Sequence, residues 1–223
     1  MHPLRQRTDL PTVDEIEEEW RRRASRTGLA RVMRASQPPE LGPEVTAATR
    51  HRIAGYLRQV AVTLGRPVRS AVEIGCGIGR LTPTIAANAG HVLAVDMTEE
   101  MLAQARVACA GFGNVEFRRC TAQRLPAEEP RADVAVCVWV LMHVLDDAEF
   151  AAACRGIARA ASHLALVEYT DAAVPVGRYS RLRTLDDYLA ALPGARLVDL
   201  GELRYGGDVS FTALIALDRV VLP

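Results

Sequence analysis

The spacing of apolar positions changes at about residue 70. Before that point, apolar side chains recur at helical intervals and form two stripes: Val13, Ile16, Trp20 and Ala24, then Ile53, Leu57, Val60 and Leu64. After it, short apolar runs alternate with helical segments, a pattern typical of βαβ units and a parallel sheet. The pattern predicts N-terminal helices followed by an α/β sheet.

Start and stop signals delimit the N-terminal helices. Thr12 and Glu15 have the spacing of a capping box at the start of the first helix. Pro43 is suited to the first position of a second helix, which should end before Gly65. We interpret Trp20 as a core residue of its amphipathic helix rather than a substrate contact. The Glu and Arg residues around it are interpreted as a solvated helix face.

The rest of the chain divides into predicted strands and helices. Strands are predicted near 70–75, 91–96, 114–120, 133–140 and 163–169, with helices near 78–88, 98–110 and 147–161. A helix near 184–192 comes next. Arg196–Leu203 and Val209–Leu217 then alternate as strands on either side of Gly206 and Gly207. These last two strands predict an antiparallel hairpin at the sheet edge.

Composition narrows the class of protein. The chain has 223 residues, 49% hydrophobic and 24% charged, as in a globular protein with a sizeable core. Basic and acidic residues balance at 27 each, which disfavours nucleic acid and an anionic membrane surface as partners. No apolar run approaches the ~20 residues that cross a bilayer, and the N-terminus lacks a signal-peptide core. We expect a cytoplasmic protein, with a helical segment over 1–66 preceding a domain over 67–223.

Cysteine and lysine usage limits the chemistry. Five scattered cysteines form no CxxC pair, so neither a disulfide framework nor a zinc site is predicted. All 27 basic residues are arginines, which excludes a catalytic or Schiff-base lysine.

A glycine loop follows the first predicted strand, in the segment AVEIGCGIGRLTP. Gly75, Gly77 and Gly79 would let the backbone approach a ligand at the sheet edge, where open α/β sheets bind small molecules. A dinucleotide fingerprint requires glycine where Arg80 stands, and a phosphate loop requires a lysine that the chain lacks. Both NAD and ATP are therefore disfavoured.

An acidic residue ends the next strand. Asp96 lies 21 residues after Gly75, where a carboxylate can accept hydrogen bonds from both ribose hydroxyls of an adenosine-containing ligand. Alternatively, Asp96 could cap the helix that Met97 and Thr98 lead into. The glycine loop nearby favours the ribose interpretation.

The glycine loop, Asp96 and Glu73 together resemble the class I S-adenosylmethionine-dependent methyltransferases, over about Ser70 to Thr170. The segments VDMTEEML and ADVAVCVWVLMHV also fall where that family has counterparts. The resemblance implies a Rossmann-like, doubly wound seven-stranded sheet with a C-terminal antiparallel hairpin and N-terminal lid helices. It also implies S-adenosyl-L-methionine as cofactor.

The resemblance assigns cofactor-binding roles to particular residues. The glycine loop would pass under the methionine part of the cofactor, with Glu73 beside its ammonium group. Asp96 would bind the ribose, Met97 would pack on the adenine, and the sulfonium would lie beside the end of the fourth strand. The full set is Glu73, Gly75, Gly77, Gly79, Asp96, Met97, Thr121, Ala122, Gln123, Val138 and Trp139. The family often has an acid near Thr121 to meet the adenine amino group, and this chain has none there.

His143 is the one catalytic candidate. It follows the fourth strand at the carboxyl edge of the sheet, and an imidazole with the ordinary pKa of about 6.5 can take a proton from an acceptor. The alternative is a histidine that packs against the next helix. Glu168, Tyr169 and Asp171 are weaker candidates for orienting the acceptor.

The function expected is methyl transfer to oxygen or nitrogen of a small molecule by a monomer or homodimer. The segments GIGRLT and WVLMH also resemble protein N-terminal methyltransferases, so methylation of a peptide α-amine stays open. A non-catalytic cofactor-binding module of the same fold is a further alternative. A substrate-side mouth closed by bulky apolar residues would favour that module. The N-terminal helices are expected to cover the acceptor side.

Overall fold

The computed structural model describes residues 10–34, 36–126 and 131–218. Its helices are α1 (Val13–Ala24), α2 (Leu41–Leu64), α3 (Thr82–Ala86), α4 (Glu99–Ala108), α5 (Asp147–Ala160) and α6 (Leu185–Ala191). Its strands are β1 (Val68–Ile74), β2 (Ala89–Asp96), β3 (Val115–Arg119), β4 (Val134–Val138), β5 (His163–Asp171), β6 (Ala195–Tyr205) and β7 (Asp208–Leu217). Short 3₁₀ helices span Gly28–Arg31, Ala122–Arg124 and Leu141–His143.

The seven strands form one sheet in the order β3-β2-β1-β4-β5-β7-β6. β1 to β5 pair in parallel, whereas β7 runs antiparallel to both β5 and β6. Gly206 and Gly207, with φ of 55° and 81°, make the turn between β6 and β7 because residues with side chains rarely adopt that conformation. The predicted α/β class and its C-terminal hairpin are confirmed.

Several predicted boundaries differ from the observed ones. The helix predicted near 78–88 is only α3, because Gly77 and Gly79 have positive φ and the chain is still turning before Thr82. β4 stops at Val138 rather than near 140, because Trp139 has a left-handed backbone with φ of 55°. α2 starts at Leu41, ahead of Pro43.

Hydrophobic layers cover both faces of the sheet. α2 packs through Ile53 and Leu57 on one face, and Tyr56 in the same layer donates a hydrogen bond to Thr212 on β7 at 2.9 Å. α5 and α6 pack on the opposite face, where Tyr188 is fully buried. This arrangement is the predicted doubly wound architecture.

α1 lies over the carboxyl edge of the parallel strands. Its capping box forms as predicted, with Thr12 and Glu15 bonded to each other's backbone N–H groups. The Glu and Arg residues of α1 are more than a solvated face, because Glu17 pairs with Arg119 at 2.6 Å and Arg21 with Glu100 at 3.2 Å. The division of the chain at residue 66 stays a prediction, and residues 1–9 lie outside the described part. Within the described ranges, no helix is long and apolar enough to span a membrane.

Candidate active site

A cavity with an empty volume of about 1070 Å³ lies at the carboxyl ends of β1, β2 and β4. We call it the sheet-edge cavity. Its walls come from the glycine loop, the ends of these strands and α1, with Ile16 and Trp20 on the α1 side. Of the twelve residues predicted for cofactor binding or catalysis, it brings together eleven: Glu73, Gly75, Gly77, Asp96, Met97, Thr121, Ala122, Gln123, Val138, Trp139 and His143.

The glycine loop explains why the twelfth residue, Gly79, is elsewhere. Gly75 and Gly77 have φ of 65° and 55° and line the cavity. A Cβ on Gly75 would lie 2.5 Å from a methyl group of Val140, so a side chain does not fit there. Gly79 instead faces α4, where a Cβ would lie 3.0 Å from Cα of Ala105. Gly79 therefore allows the loop and α4 to pack closely and does not line the cavity.

Asp96 links the glycine loop to the start of α4. Its Oδ2 accepts a hydrogen bond from the Gly77 N–H at 2.9 Å, and its Oδ1 accepts from the Thr98 N–H at 3.0 Å and the Thr98 hydroxyl at 3.1 Å. The contacts expected of a helix cap are thus present, although the N-cap residue itself is Thr98. A carboxylate has about four lone-pair sites, so Asp96 still has acceptor capacity toward the cavity.

Glu73 and Arg80 bring a buried carboxyl and a buried guanidinium to this cavity, and the hydrogen bonding of each is incomplete. Glu73 is 3% exposed, and burial raises the pKa of its carboxyl to about 8. Burial also lowers the pKa of the Arg80 guanidinium to about 10. The buried Oε2 of Glu73 and Nη1 of Arg80 have no hydrogen-bond partner among the described residues. Buried polar atoms normally have partners, so this pair indicates a site for a charged ligand.

Trp139 forms the far wall beyond β4. Its strained backbone is held by a hydrogen bond from its N–H to the carbonyl of Val167 at 2.8 Å. Its indole N–H donates to Ser210 at 3.0 Å, and its ring stacks on Tyr169 with centroids 5.6 Å apart. The Arg80 guanidinium lies over the same ring, 5.0 Å from its centroid. These contacts hold the indole and the guanidinium in one arrangement.

His143 lies in the 3₁₀ helix at the cavity wall. Its Nδ1–H donates to the carbonyl of Tyr179 at 2.7 Å, and Ser180 Oγ lies 3.2 Å from the same nitrogen. That tautomer leaves Nε2 with its lone pair. Burial lowers the pKa of the imidazole to about 4, well below the ordinary value expected from the sequence. His143 is therefore neutral at pH 7 and can accept a proton only as a weak base.

Glu168 holds this 3₁₀ helix from beneath. Its Oε1 accepts hydrogen bonds from the N–H groups of Val140 at 3.0 Å and Leu141 at 2.7 Å. The side chain is fully buried, and burial raises the pKa of its carboxyl to about 8. Glu168 thus positions the His143 segment and does not line either cavity described here.

Trp20 is not the core residue that its helical stripe indicates. It is only partly buried, and its ring meets that of His143 edge to face with centroids 4.9 Å apart. Trp20 also lines a second cavity, of about 1060 Å³, which shares Val32, Trp139 and His143 with the first. We call this second space the adjoining cavity. It lies between α1, residues 32–34 with Ser36, and the segment 174–180.

Sequence reasoning missed Arg80 and Trp20 as site residues. Arg80 entered only as the residue that breaks the dinucleotide fingerprint, although a cation next to a glycine loop could have indicated a ligand contact. The apolar stripe containing Trp20 has no feature that distinguishes a core position from a cavity wall. Among the described residues, no group of three or more His, Cys, Asp or Glu side chains is placed to hold a metal ion.

Residues 71–163 match the family described as "Methyltransferase domain". The match agrees with the order of the strands, the glycine loop and the acidic residue at the end of β2. Over residues 71–163 the chain is similar to this methyltransferase family, and its sheet has the fold of the class I S-adenosylmethionine-dependent methyltransferases. The resemblance drawn from the sequence is confirmed for the fold, and the domain match supports it over residues 71–163.

Two curated relatives of the chain are ubiquinone biosynthesis O-methyltransferases. The one from Methylococcus capsulatus is 37% identical over 93 residues, which is 41% of this chain and 39% of the relative. The one from Hahella chejuensis is 36% identical over 100 residues, 44% of this chain and 42% of the relative. Each match therefore spans only about two fifths of the relative's length.

Solved structures resemble the chain over most of its length. Magnesium protoporphyrin IX methyltransferase from Synechocystis, with bound S-adenosylhomocysteine, has a TM-score of 0.67 at 18% identity, covering 90% of this chain and 94% of that one. The N-methyltransferase NodS from Bradyrhizobium japonicum, also with S-adenosylhomocysteine, has a TM-score of 0.67 at 13% identity. The similarity covers 92% of this chain and 99% of NodS. These similarities establish the fold.

Proposed function

We propose that the chain binds S-adenosyl-L-methionine in the sheet-edge cavity and transfers its methyl group to oxygen or nitrogen of a small molecule. The observation that supports this most directly is the pair of unsatisfied buried atoms, Glu73 Oε2 and Arg80 Nη1. The amino-acid end of the cofactor has an ammonium, which would favour the ionised form of the Glu73 carboxyl, and a carboxylate, which would pair with the Arg80 guanidinium. Charge-assisted hydrogen bonds of this kind are the strong ones.

Other predicted residues fit the remainder of the cofactor. Asp96 keeps acceptor capacity for ribose hydroxyls after bonding Gly77 and Thr98. Met97 and the segment Thr121, Ala122 and Gln123 line the part of the cavity proposed for the adenine. Gly79 drops out of the proposed binding set because it faces α4.

When bound, the cofactor supplies an activated methyl group with its own leaving group. The protein therefore has to align an acceptor and exclude water, and alignment can contribute ~7–11 kcal/mol. His143 Nε2 is the base that we propose to take the acceptor's proton. Because its pKa is about 4, its share of the rate acceleration is modest, and alignment provides most of it.

The space beside His143 supports an enzyme over a non-catalytic module. Trp20, Trp139 and His143 line both cavities, so open space lies on each side of the wall that contains His143. We propose that the acceptor binds in the adjoining cavity, with α1 supplying part of its cover. We further propose a cytoplasmic monomer or homodimer without a nucleic-acid partner, consistent with the balanced charge.

Calorimetry with three ligands tests the cofactor assignment. S-adenosylmethionine and S-adenosylhomocysteine should bind, whereas NAD should not, because Arg80 replaces the glycine that allows pyrophosphate approach. Arg80→Gln should weaken both adenosyl ligands by about tenfold or more, since it removes a charged hydrogen-bond donor. Arg155→Gln is the matched control, because Arg155 is exposed on α5 and lines neither cavity. Binding of NAD without S-adenosylhomocysteine would overturn the proposal.

Proton release tests the role of Glu73. Its carboxyl is mostly protonated at pH 7 in the ligand-free protein, because its pKa is about 8. An ammonium beside it favours the ionised form, so binding of S-adenosylhomocysteine at pH 7 should release a proton. Binding enthalpies in buffers of different ionisation enthalpy would measure that proton, and Glu73→Gln should abolish the release. Equal proton release in the variant and the parent would contradict the assignment.

A further inference from the structure

The adjoining cavity contains more positive than negative charge. Four charged side chains line it: Glu19, Arg23, Arg26 and Arg34. Glu19 is paired with Arg22, and Arg34 is paired with Asp208 at 2.9 Å. These two lining charges are already balanced. Neither Arg23 nor Arg26 has an ion-pair partner among the described residues.

Arg23 is held in place at the cavity wall. Its Nη2 donates to the carbonyl of Met33 at 2.6 Å, and its guanidinium lies over the Trp20 ring, 4.4 Å from the centroid. Its Nε is buried and has no hydrogen-bond partner among the described residues. Burial, together with the positive charge of Arg26, lowers the pKa of Arg23 to about 10. Two neighbouring cations with spare donors would be stabilised by an anion between them.

Arg23 and His143, the proposed base, contact the same indole. Arg23 lies on the face of Trp20, whereas His143 meets that ring edge to face at 4.9 Å. The guanidinium therefore lies no farther from the imidazole than the sum of those two distances. A single aromatic ring with a hydroxyl at one end and a carboxylate at the other can bridge such a span.

The remaining walls are suited to a flat, partly apolar molecule. They include aromatic rings of Trp139, Tyr169 and Tyr179 and the apolar side chains of Met142 and Val176. Aromatic walls favour aromatic ligands through offset or edge-to-face contacts. A planar carboxylate also matches the fork of N–H donors on a guanidinium.

On the basis of the proposed methyltransferase function, we propose that the acceptor is a hydroxylated aromatic carboxylate whose carboxylate binds Arg23 and Arg26 in the adjoining cavity. Its hydroxyl lies toward His143 and loses a proton to Nε2 as the oxygen takes the methyl group from the sulfonium. The carbon–sulfur bond breaks as the carbon–oxygen bond forms, and the sulfur keeps the bonding electron pair. The products are the methyl ether and S-adenosylhomocysteine.

Matched pairs of acids and esters test this proposal by binding. Hydroxybenzoates, hydroxycinnamates and hydroxyphenylacetates, each with its methyl ester, are titrated into the full chain saturated with S-adenosylhomocysteine. The acid of at least one pair should bind about tenfold or more tightly than its ester, since the ester removes a charged hydrogen-bond acceptor. Arg23→Gln and Arg26→Gln should each reduce that preference, and Arg155→Gln should retain it.

Two readouts separate this proposal from the cofactor assignment. Arg23 and Arg26 do not line the sheet-edge cavity, so both variants should bind S-adenosylhomocysteine as the parent does, which also shows that they are folded. Loss of S-adenosylhomocysteine binding in the parent would overturn the proposed function itself. With that binding intact, equal affinity for acids and esters, no binding of any acid, or a preference that persists in Arg23→Gln would overturn the carboxylate site.

Discussion

The buried carboxyl of Glu168 is predicted to reduce the stability of the protein as pH rises. Glu168 accepts two backbone hydrogen bonds through Oε1, whereas its Oε2 is buried without a partner among the described residues. Glu168→Gln keeps an oxygen that can accept the bonds from Val140 and Leu141. It removes only the ability to ionise. The substitution thus separates the charge of this side chain from its support of the 3₁₀ helix.

The size of this stability change follows from the difference between the pKa of Glu168 in the folded protein and its pKa in the unfolded chain. Burial raises it to about 8 in the folded protein, against a reference value of 4.5. Between these values the unfolded chain is ionised while the folded protein keeps its proton, so the free energy of unfolding falls as pH rises. The slope for one proton is about 1.4 kcal/mol per pH unit, and the total across this window is on the order of 5 kcal/mol. Below the window both states are protonated, and above it both are ionised.

Urea unfolding at pH 5, 6, 7 and 8, followed by circular dichroism without ligand, measures this effect. Glu73 and His143 also titrate in the parent protein, so the quantity to compare is the difference between variant and parent. Glu168→Gln should unfold at nearly the parent's urea concentration at pH 5 and at an increasingly higher one toward pH 8. Glu202→Gln, at an exposed carboxylate on β6, is the matched control and should show no such trend. A difference that stays constant with pH would refute the reasoning.

Three further substitutions test individual contacts of the site. Asp96→Ala should lower the free energy of unfolding by on the order of 3 kcal/mol, because it removes three hydrogen bonds. The substitution should also weaken the binding of S-adenosylhomocysteine, and an affinity equal to that of the parent would contradict a ribose contact. His143→Ala should lower turnover of an acceptor by about tenfold, below the ~10²–10⁴-fold of a well-matched base, without changing cofactor affinity. In the parent, turnover should rise with pH through about 4 as the imidazole loses its proton, and a limb near 6.5 would contradict the buried environment. Gly75→Ala should abolish ligand binding or folding, because its Cβ would lie 2.5 Å from a methyl group of Val140. Gly28→Ala controls for backbone strain alone, because Gly28 has φ of 52° and open space around the position of a Cβ. Similar unfolding midpoints for the two variants would exclude the steric explanation.

The sequence by itself determined the features that depend on local spacing. Alternating apolar runs and helical segments predicted the parallel sheet, and the paired glycines 206 and 207 predicted its terminal hairpin. The strand before Gly75 and the strand ending at Asp96 predicted which side chains gather at one edge, because the carboxyl ends of parallel strands lie together. These predictions needed only the chain direction and the topology of the sheet.

Only the tertiary structure decided how distant segments meet. Trp20 and His143 are separated by more than a hundred residues, and their ring contact depends on how α1 packs over the sheet edge. The pKa of His143 depends on burial by that packing, so sequence alone predicted an ordinary value. Gly79 illustrates the same limit, since its spacing matches the loop while its contact is with α4. Periodicity identifies which residues lie on one face of an element, whereas three-dimensional packing determines what that face touches.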